Sequence, residues 1–248
     1  MTVFYDDPTH TYYTCTDNQK VVYTSATQLI SRYKVPFDKD RMAVLTAQKR
    51  GGTPEYWKTQ WEKVSKEACD YGTQIHDQRE QEMIARGTQL INGRMFRVQN
   101  RVPDHFCDYF QLEDGVYPEL KLWHHGYRIA GRTDRAILET VCTDKTGRCS
   151  RYMHIDDYKT NKKIDLRAYR FKDGSYKMML TPVDHLEDCN FNHYALQLSL
   201  YLFMGEAMGF MPGNMKLIHI PKDGPATEYE VPYLKSEIID ILTHSQCL

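Results

Sequence analysis

Apolar and polar positions follow two rhythms along this chain, and the rhythm changes near residue 112. Thr9-His10-Thr11-Tyr12-Tyr13-Thr14 is rich in β-formers, breaks at Asp17-Asn18 and resumes at Val21-Val22-Tyr23-Thr24, which predicts a hairpin. Ser25 is placed to cap a short helix over 26–33, closed by the Pro36 region. Trp57, Trp61, Val64 and Ala68 recur at helical spacing, predicting a helix over 55–86, and a further amphipathic helix is expected over 95–110. Beyond 112 the pattern shortens to strands at 116–123, 127–138 and 151–158, with turns at His124-His125-Gly126 and Asp144-Lys145-Thr146-Gly147. An apolar helix over 192–209, strands at 215–220 and 227–231 and a closing helix over 235–243 follow. Three strands, a helix and further strands predict an α/β fold with a mixed sheet flanked by helices.

Composition narrows this picture. A chain of 248 residues, 41% hydrophobic and 26% charged, is ordinary for a globular protein with one substantial core. No stretch approaches the ~20 consecutive apolar residues of a membrane span. The start, Met1 to Asp7, has no basic segment leading into an apolar run, so no secretory leader is expected. Seven cysteines without framework spacing are expected as reduced thiols in a cytoplasmic setting. Cys142 and Cys149 flank a turn and face each other across it, but a reducing compartment argues against a bond between them. The net charge of −1 favours no polyanionic partner, yet residues 116–172 hold thirteen Lys/Arg against seven Asp/Glu. Arg132, Lys162, Lys163 and Arg167 are the candidates there for phosphate contacts, with a solvated basic face as the alternative. Tyr169, Phe171 and Trp123 are either stacking platforms for unpaired bases or core.

The chemistry concentrates in His154-Ile155-Asp156-Asp157-Tyr158-Lys159-Thr160. The two-residue period of a strand puts Asp157 and Lys159 on one face, where the acid can hold a divalent cation and the lysine can contact an attacking water. A strand-end salt bridge explains the pair equally well in isolation. Asp134, 23 positions earlier in Gly131-Arg132-Thr133-Asp134, lies where a neighbouring strand would carry it, and Glu119 lies on the strand before. Together the three supply hard oxygen ligands of the kind Mg²⁺ or Mn²⁺ prefers. Gln197 and Tyr201 share one face of an otherwise apolar helix, either beside the site or satisfying buried backbone. His76, in Gly72-Thr73-Gln74-Ile75-His76, is a ligand or a structural histidine. His185, Cys189 and His193 at four-residue spacing offer a rival soft-metal site without a second ligand pair.

In this order, His76, Glu119, Asp134, Asp157-Tyr158-Lys159 and Gln197-x-x-x-Tyr201 resemble the RecB-type branch of the PD-(D/E)XK nuclease superfamily. Gly72-Thr73-x-x-His76, Gly131-x-x-Asp134, Asp157-Tyr158-Lys159-Thr160 and Gln197-Leu198-Ser199-Leu200-Tyr201 look most like small phage-type and mitochondrial-genome-maintenance-type exonucleases. The motifs span residues 72 to 201. Iron–sulfur members of the branch carry one cysteine before the histidine and three after the Gln-x-x-x-Tyr helix. Here only Cys247 follows Tyr201, so no cluster is expected.

The resemblance implies a restriction-endonuclease-like sheet core over 113–248, with a hairpin and mainly helical region over 1–112 contributing to the site. It implies one or two Mg²⁺ or Mn²⁺ ions held by Asp134, Asp157, Glu119 and His76, with the Tyr158 carbonyl as a further donor. Lys159 would orient the water or stabilise the transition state, and would need a depressed pKa to act as a base. Gln197 and Tyr201 would position Lys159 or grip the substrate. The implied reaction is phosphodiester hydrolysis leaving a 5′-phosphate, on single-stranded or end-containing DNA in phage-type DNA metabolism, recombination or repair. The setting would be cytoplasmic, that of the host cell if the chain is phage-encoded. No nucleotide cofactor is expected, since no Walker-type loop is present. An exonuclease is preferred because the helical first half can arch over the site. A structure-specific or restriction-type endonuclease is the rival, and a non-catalytic DNA- or partner-binding module is the rival of another class.

Overall fold

Strands β2 (Thr11–Thr16) and β3 (Gln19–Ser25) form the predicted hairpin, and β1 (Phe4–Asp6), which the sequence pattern does not announce, adds to it antiparallel. The computed structural model describes residues 2–6, 9–16, 19–100, 103, 105–142 and 147–246. The Asp17-Asn18 break, the Asp144-Lys145-Thr146 part of the later turn and Cys247 lie outside the described residues. Ser25 ends β3 and caps α1 (Ala26–Ser31): its hydroxyl accepts from Gln28 N–H while the Gln28 side chain accepts from Ser25 N–H.

Helix α2 (Lys39–Arg50) has no counterpart in the sequence pattern, because only Ala43 is buried and no apolar stripe exists to announce it. It packs along the first half of α3 (Pro54–Arg86) through Lys39–Glu62 at 2.6 Å and Lys58–Asp40 at 2.5 Å, with Phe37 just ahead of it edge-on to Trp61. The two helices form an arm. The helix expected over 95–110 is absent. Strands β4 (Thr88–Ile91) and β5 (Arg94–Arg97) make a hairpin instead, followed by a 3-10 helix over Phe106–Gln111. Asn92 and Gly93 both have positive φ, the conformation a tight two-residue hairpin turn requires.

The main sheet is mixed and eight-stranded. It adds β6 (Gly115–His124), β7 (Ile129–Cys142), β8 (Cys149–Lys159), β9 (Met211–His219) and β10 (Thr227–Val231) in the order β1-β2-β3-β7-β8-β9-β10, with β6 on β7. The β3–β7 and β8–β9 pairs are parallel. Helix α4 (Asn190–Ala207) connects β8 to β9 and packs on the sheet, with α1 and α5 (Lys235–Gln246) against it. Leu29, Tyr23, Leu138, Leu196, Leu200 and Ile241 belong to this one large core, so residues 1–112 and 113–248 share it. A smaller cluster of Met83, Phe96, Val116, Ile137 and Tyr158 lies where α3 and the β4–β5 hairpin meet the sheet. No helix among the described residues is long and apolar enough to cross a membrane.

Cys142 and Cys149 are register partners at the outer end of the β7–β8 ladder and form a disulfide, which overturns the expectation of reduced thiols for that pair. Strand register, rather than compartment, brings the sulfurs together. Cys15, Cys69, Cys107 and Cys189 are free thiols.

Candidate active site

Glu119, Asp134 and Asp157 lie on the neighbouring strands β6, β7 and β8, as their spacing predicts. Strand β7 pairs with β3 only through Ile129 and Ala130, and with β8 only from Arg135 onward. Past the Arg135–Asp156 rung the two central strands separate. The Asp134 carboxylate fills the fork, with Oδ2 accepting from Tyr158 N–H at 2.6 Å in place of the lost ladder bond. Its other oxygen, Oδ1, is 3.1 Å from Nδ1 of His76 on α3.

Glu119 completes the cluster by an unusual backbone conformation. The β6–β7 register pairs Pro118 with Arg135 and Leu120 with Thr133 and skips Glu119, which has φ of +49°. A left-handed glutamate inside a strand costs about 1–3 kcal/mol and persists where surrounding structure enforces it. It brings one donor atom each from His76, Glu119 and Asp134 to within 4.8 Å of one another. Two oxygen donors and one imidazole suit a hard divalent cation such as Mg²⁺ or Mn²⁺. Among the described residues this is the one such group. His185 and Cys189 precede α4 rather than sharing its face with His193, and His193 is held by Asp188 at 2.7 Å while His185 faces Glu237.

Asp157 stands outside that triad, 1% exposed, with Lys159 Nζ 2.5 Å from its Oδ2. Contact between them is an ion pair without the alignment of a hydrogen bond, and Oδ2 has no other polar partner among the described residues. Burial opposes the Lys159 ammonium, but Asp157 and Asp134 outweigh it and raise the lysine above its ordinary range. The depressed pKa a lysine base requires is therefore not what this environment produces. Tyr194, on the first turns of α4, carries the Lys159 ammonium 4.6 Å from its ring centroid. Sequence reasoning passed over Tyr194, although it shares a face with Gln197 and Tyr201 at helical spacing. Gln197 Nε2 donates to Tyr201 Oη at 3.0 Å, and neither makes the contact to Lys159 that Tyr194 does. Instead the Tyr201 ring lies against Gly131, where a Cβ would fall 2.5 Å from Cε1. Gly131 is thus required by close approach.

A cleft of about 670 Å³ opens over the triad, bounded by Tyr5, His10, Ser25, Thr73, His76 and Arg132 among others. Arg132 bonds Glu119 at 3.2 Å and lies over the Tyr5 ring at 4.2 Å. Lys162 and Lys163 are exposed on the segment after β8, and Arg167 is engaged by Glu187 at 2.8 Å. Much of the basic surplus over 116–172 is consumed internally. Arg135 pairs with Asp156, buried Lys121 donates to Val3 O, and Arg151 donates to the carbonyls of Tyr109, Phe110 and Leu112. Trp123 is fully buried against Tyr109 and stacks on no base.

Burial and the neighbouring Asp134 raise Glu119 from its ordinary 4.5 to about 7. For an acid raised in the folded state, the protonated form is favoured. Metal-free stability from this group is full below pH 4.5 and is lost as pH rises through about 7. The loss is at most about 3 kcal/mol. A cation binds the carboxylate and competes with that proton. The rise in melting temperature on adding Mn²⁺ is therefore expected to be larger at pH 8 than at pH 5, and Glu119→Gln should flatten the difference. Equal gains at both pH values would remove Glu119 from the ligand set. No protein-family model and no curated protein matches the chain, so the meaning of the site rests on its own geometry.

Proposed function

We propose that the chain is a nuclease of the PD-(D/E)XK type that hydrolyses phosphodiester bonds in DNA with Mg²⁺ or Mn²⁺, built on a restriction-endonuclease-like core and acting as an exonuclease. The observation that carries this reading is the convergence of His76, Glu119 and Asp134 at a strand fork that also holds the Asp157–Lys159 pair. His76, Glu119 and Asp134 would hold the cation, with Asp157 the next carboxylate within reach of its field. When bound, such a cation lowers the pKa of a coordinated water and offsets charge on the phosphate. Lys159, kept as an ammonium by Asp157 and Asp134, stabilises charge developing on the phosphoryl oxygens rather than removing a proton. Arg132 at the cleft wall grips a backbone phosphate. Tyr201, wedged on Gly131, fixes the strand from which Arg132 and Asp134 project. The α2–α3 arm, whose second half carries His76 into the cleft, favours a strand fed in from an end.

Digestion of end-labelled linear single- and double-stranded DNA in Mn²⁺, beside a closed single-stranded circle, tests both parts. Linear DNA is expected to shorten to 5′-phosphorylated products while the circle survives. Rapid cutting of the circle would replace the exonuclease with an endonuclease. Survival of every substrate in Mn²⁺ and again in Mg²⁺ would leave only a binding module.

A further inference from the structure

Residues 160–177 hold six Lys/Arg against two Asp/Glu and run directly on from Lys159. Within them a short hairpin is built by Phe171 N–H to Ser175 O at 2.8 Å, Lys177 N–H to Tyr169 O at 2.9 Å and the Arg170–Tyr176 bridge. Its tip turns at Gly174, with φ of +91°, and Asp173 there accepts from Ser175. Tyr169 and Phe171, two positions apart, meet edge to face at 5.3 Å yet stay 69% and 46% exposed. Neighbouring exposed rings rimmed by polar residues on an ordered hairpin are the kind of patch that marks an interaction site.

The hairpin is held at its foot. Buried Asp188 accepts from Lys177 and His193, each at 2.7 Å, and from Val35 N–H at 3.2 Å. Asn190 accepts from Asp165 N–H and donates to Lys163 O, fastening the segment to the start of α4. Tyr194 closes the link to the site, donating its hydroxyl to Asn161 while its ring carries Lys159. Both acids of the segment are already engaged, Asp165 by Lys163 and Asp173 by Ser175.

We propose that the Tyr169/Phe171 hairpin is a single-strand-binding platform, on which unpaired bases stack while Lys162, Arg170 and Lys172 track the phosphates toward the fork. Exposed rings among cations match a polyanion with open base faces. A duplex hides those faces inside its own stack, and an apolar protein partner would not call for the surplus of cations. The proposal rests on the phosphodiesterase reading and names single-stranded DNA as its substrate.

Fluorescence anisotropy in EDTA, with a labelled single-stranded oligodeoxynucleotide and the same sequence as a blunt duplex, reads binding without cleavage. Wild type is expected to favour the single strand. Tyr169→Ala and Phe171→Ala should each weaken single-strand binding roughly tenfold, leave duplex binding unchanged and leave the fold intact, since both rings are exposed. Tyr169→Phe, which keeps the ring, should bind as wild type does. Equal wild-type affinity for the two substrates, undiminished binding by both alanine variants, or equal loss on single strand and duplex would overturn the platform. Absence of cleavage by wild type in Mn²⁺ would count against the nuclease reading alone, because this assay contains no metal.

Discussion

Asp134→Asn is expected to lower Mn²⁺-dependent cleavage by about a hundredfold or more while leaving the fold standing. The carboxylate has two tasks, divided between its oxygens. Oδ1 lies 3.1 Å from His76 Nδ1 in the group that could hold a cation with Glu119, and Oδ2 accepts from Tyr158 N–H where β7 and β8 separate. Asparagine keeps a carbonyl oxygen for the second task and loses the negative charge that the first needs. Lys159→Met is a less clean test, because it strands Asp157, already raised by burial and by Asp134, without its counter-charge. Pairing it with Asp157→Asn removes both charges and isolates the catalytic loss from the stability loss. Initial rates on linear DNA at saturating Mn²⁺, with melting curves for each variant, separate these effects. Near-wild-type cleavage by Asp134→Asn would remove the site from any part in the chemistry.

Arg135→Met is expected to be the most destabilising single change near the fork, by about 3 kcal/mol or more. Arg135 Nε donates to Asp156 at 2.8 Å and Nη1 to Gln89 at 3.0 Å, tying the last β7–β8 rung to the β4–β5 hairpin. Both side chains of the ion pair are largely buried. Removing the arginine leaves a carboxylate that burial already pushes upward. For a chain of this size the loss corresponds to a fall of roughly 6–12 °C in Tm. The double change Arg135→Met/Asp156→Leu should recover most of it, since a buried pair replaced whole by apolar groups costs little. Calorimetric melts of the three proteins check this, and a single-variant loss below about 1 kcal/mol would mean that water compensates the rung.

The parts of this fold that were legible in sequence are those whose faces differ sharply. Strand β10 falls on the predicted 227–231, and Ser25 caps α1 as its place ahead of the helix predicts. Helix α2 was invisible because its partner is the polar side of α3 rather than the core. The 95–110 error has a different origin: apolar residues at loose helical spacing outweighed Asn92-Gly93, a short and strong turn signal just upstream. At the site, strand parity foretold that Asp157 and Lys159 would meet. What parity could not foretell is the positive φ of Glu119, which goes with the rung that β6 and β7 omit. Nor could it divide the carboxylates into a triad with His76 and a separate acid paired to lysine. Local charge was the least informative signal, because Arg135, Lys121 and Arg151 are spent on internal partners.

Helix α3 begins at Pro54 in the arm, passes His76 at the cleft and ends at Arg86 beside the second core. His76 therefore sits about 33 Å along a single helical rod from its free end. Met83 clusters with Tyr158 and Phe96 a few residues beyond the histidine, and a rod anchored there would pivot there. A load applied near Trp57 acts through a long lever on a short one. Whatever presses on the arm moves the imidazole by a small fraction of its own travel, and in an imidazole 3.1 Å from its carboxylate a few tenths of an ångström is enough to matter.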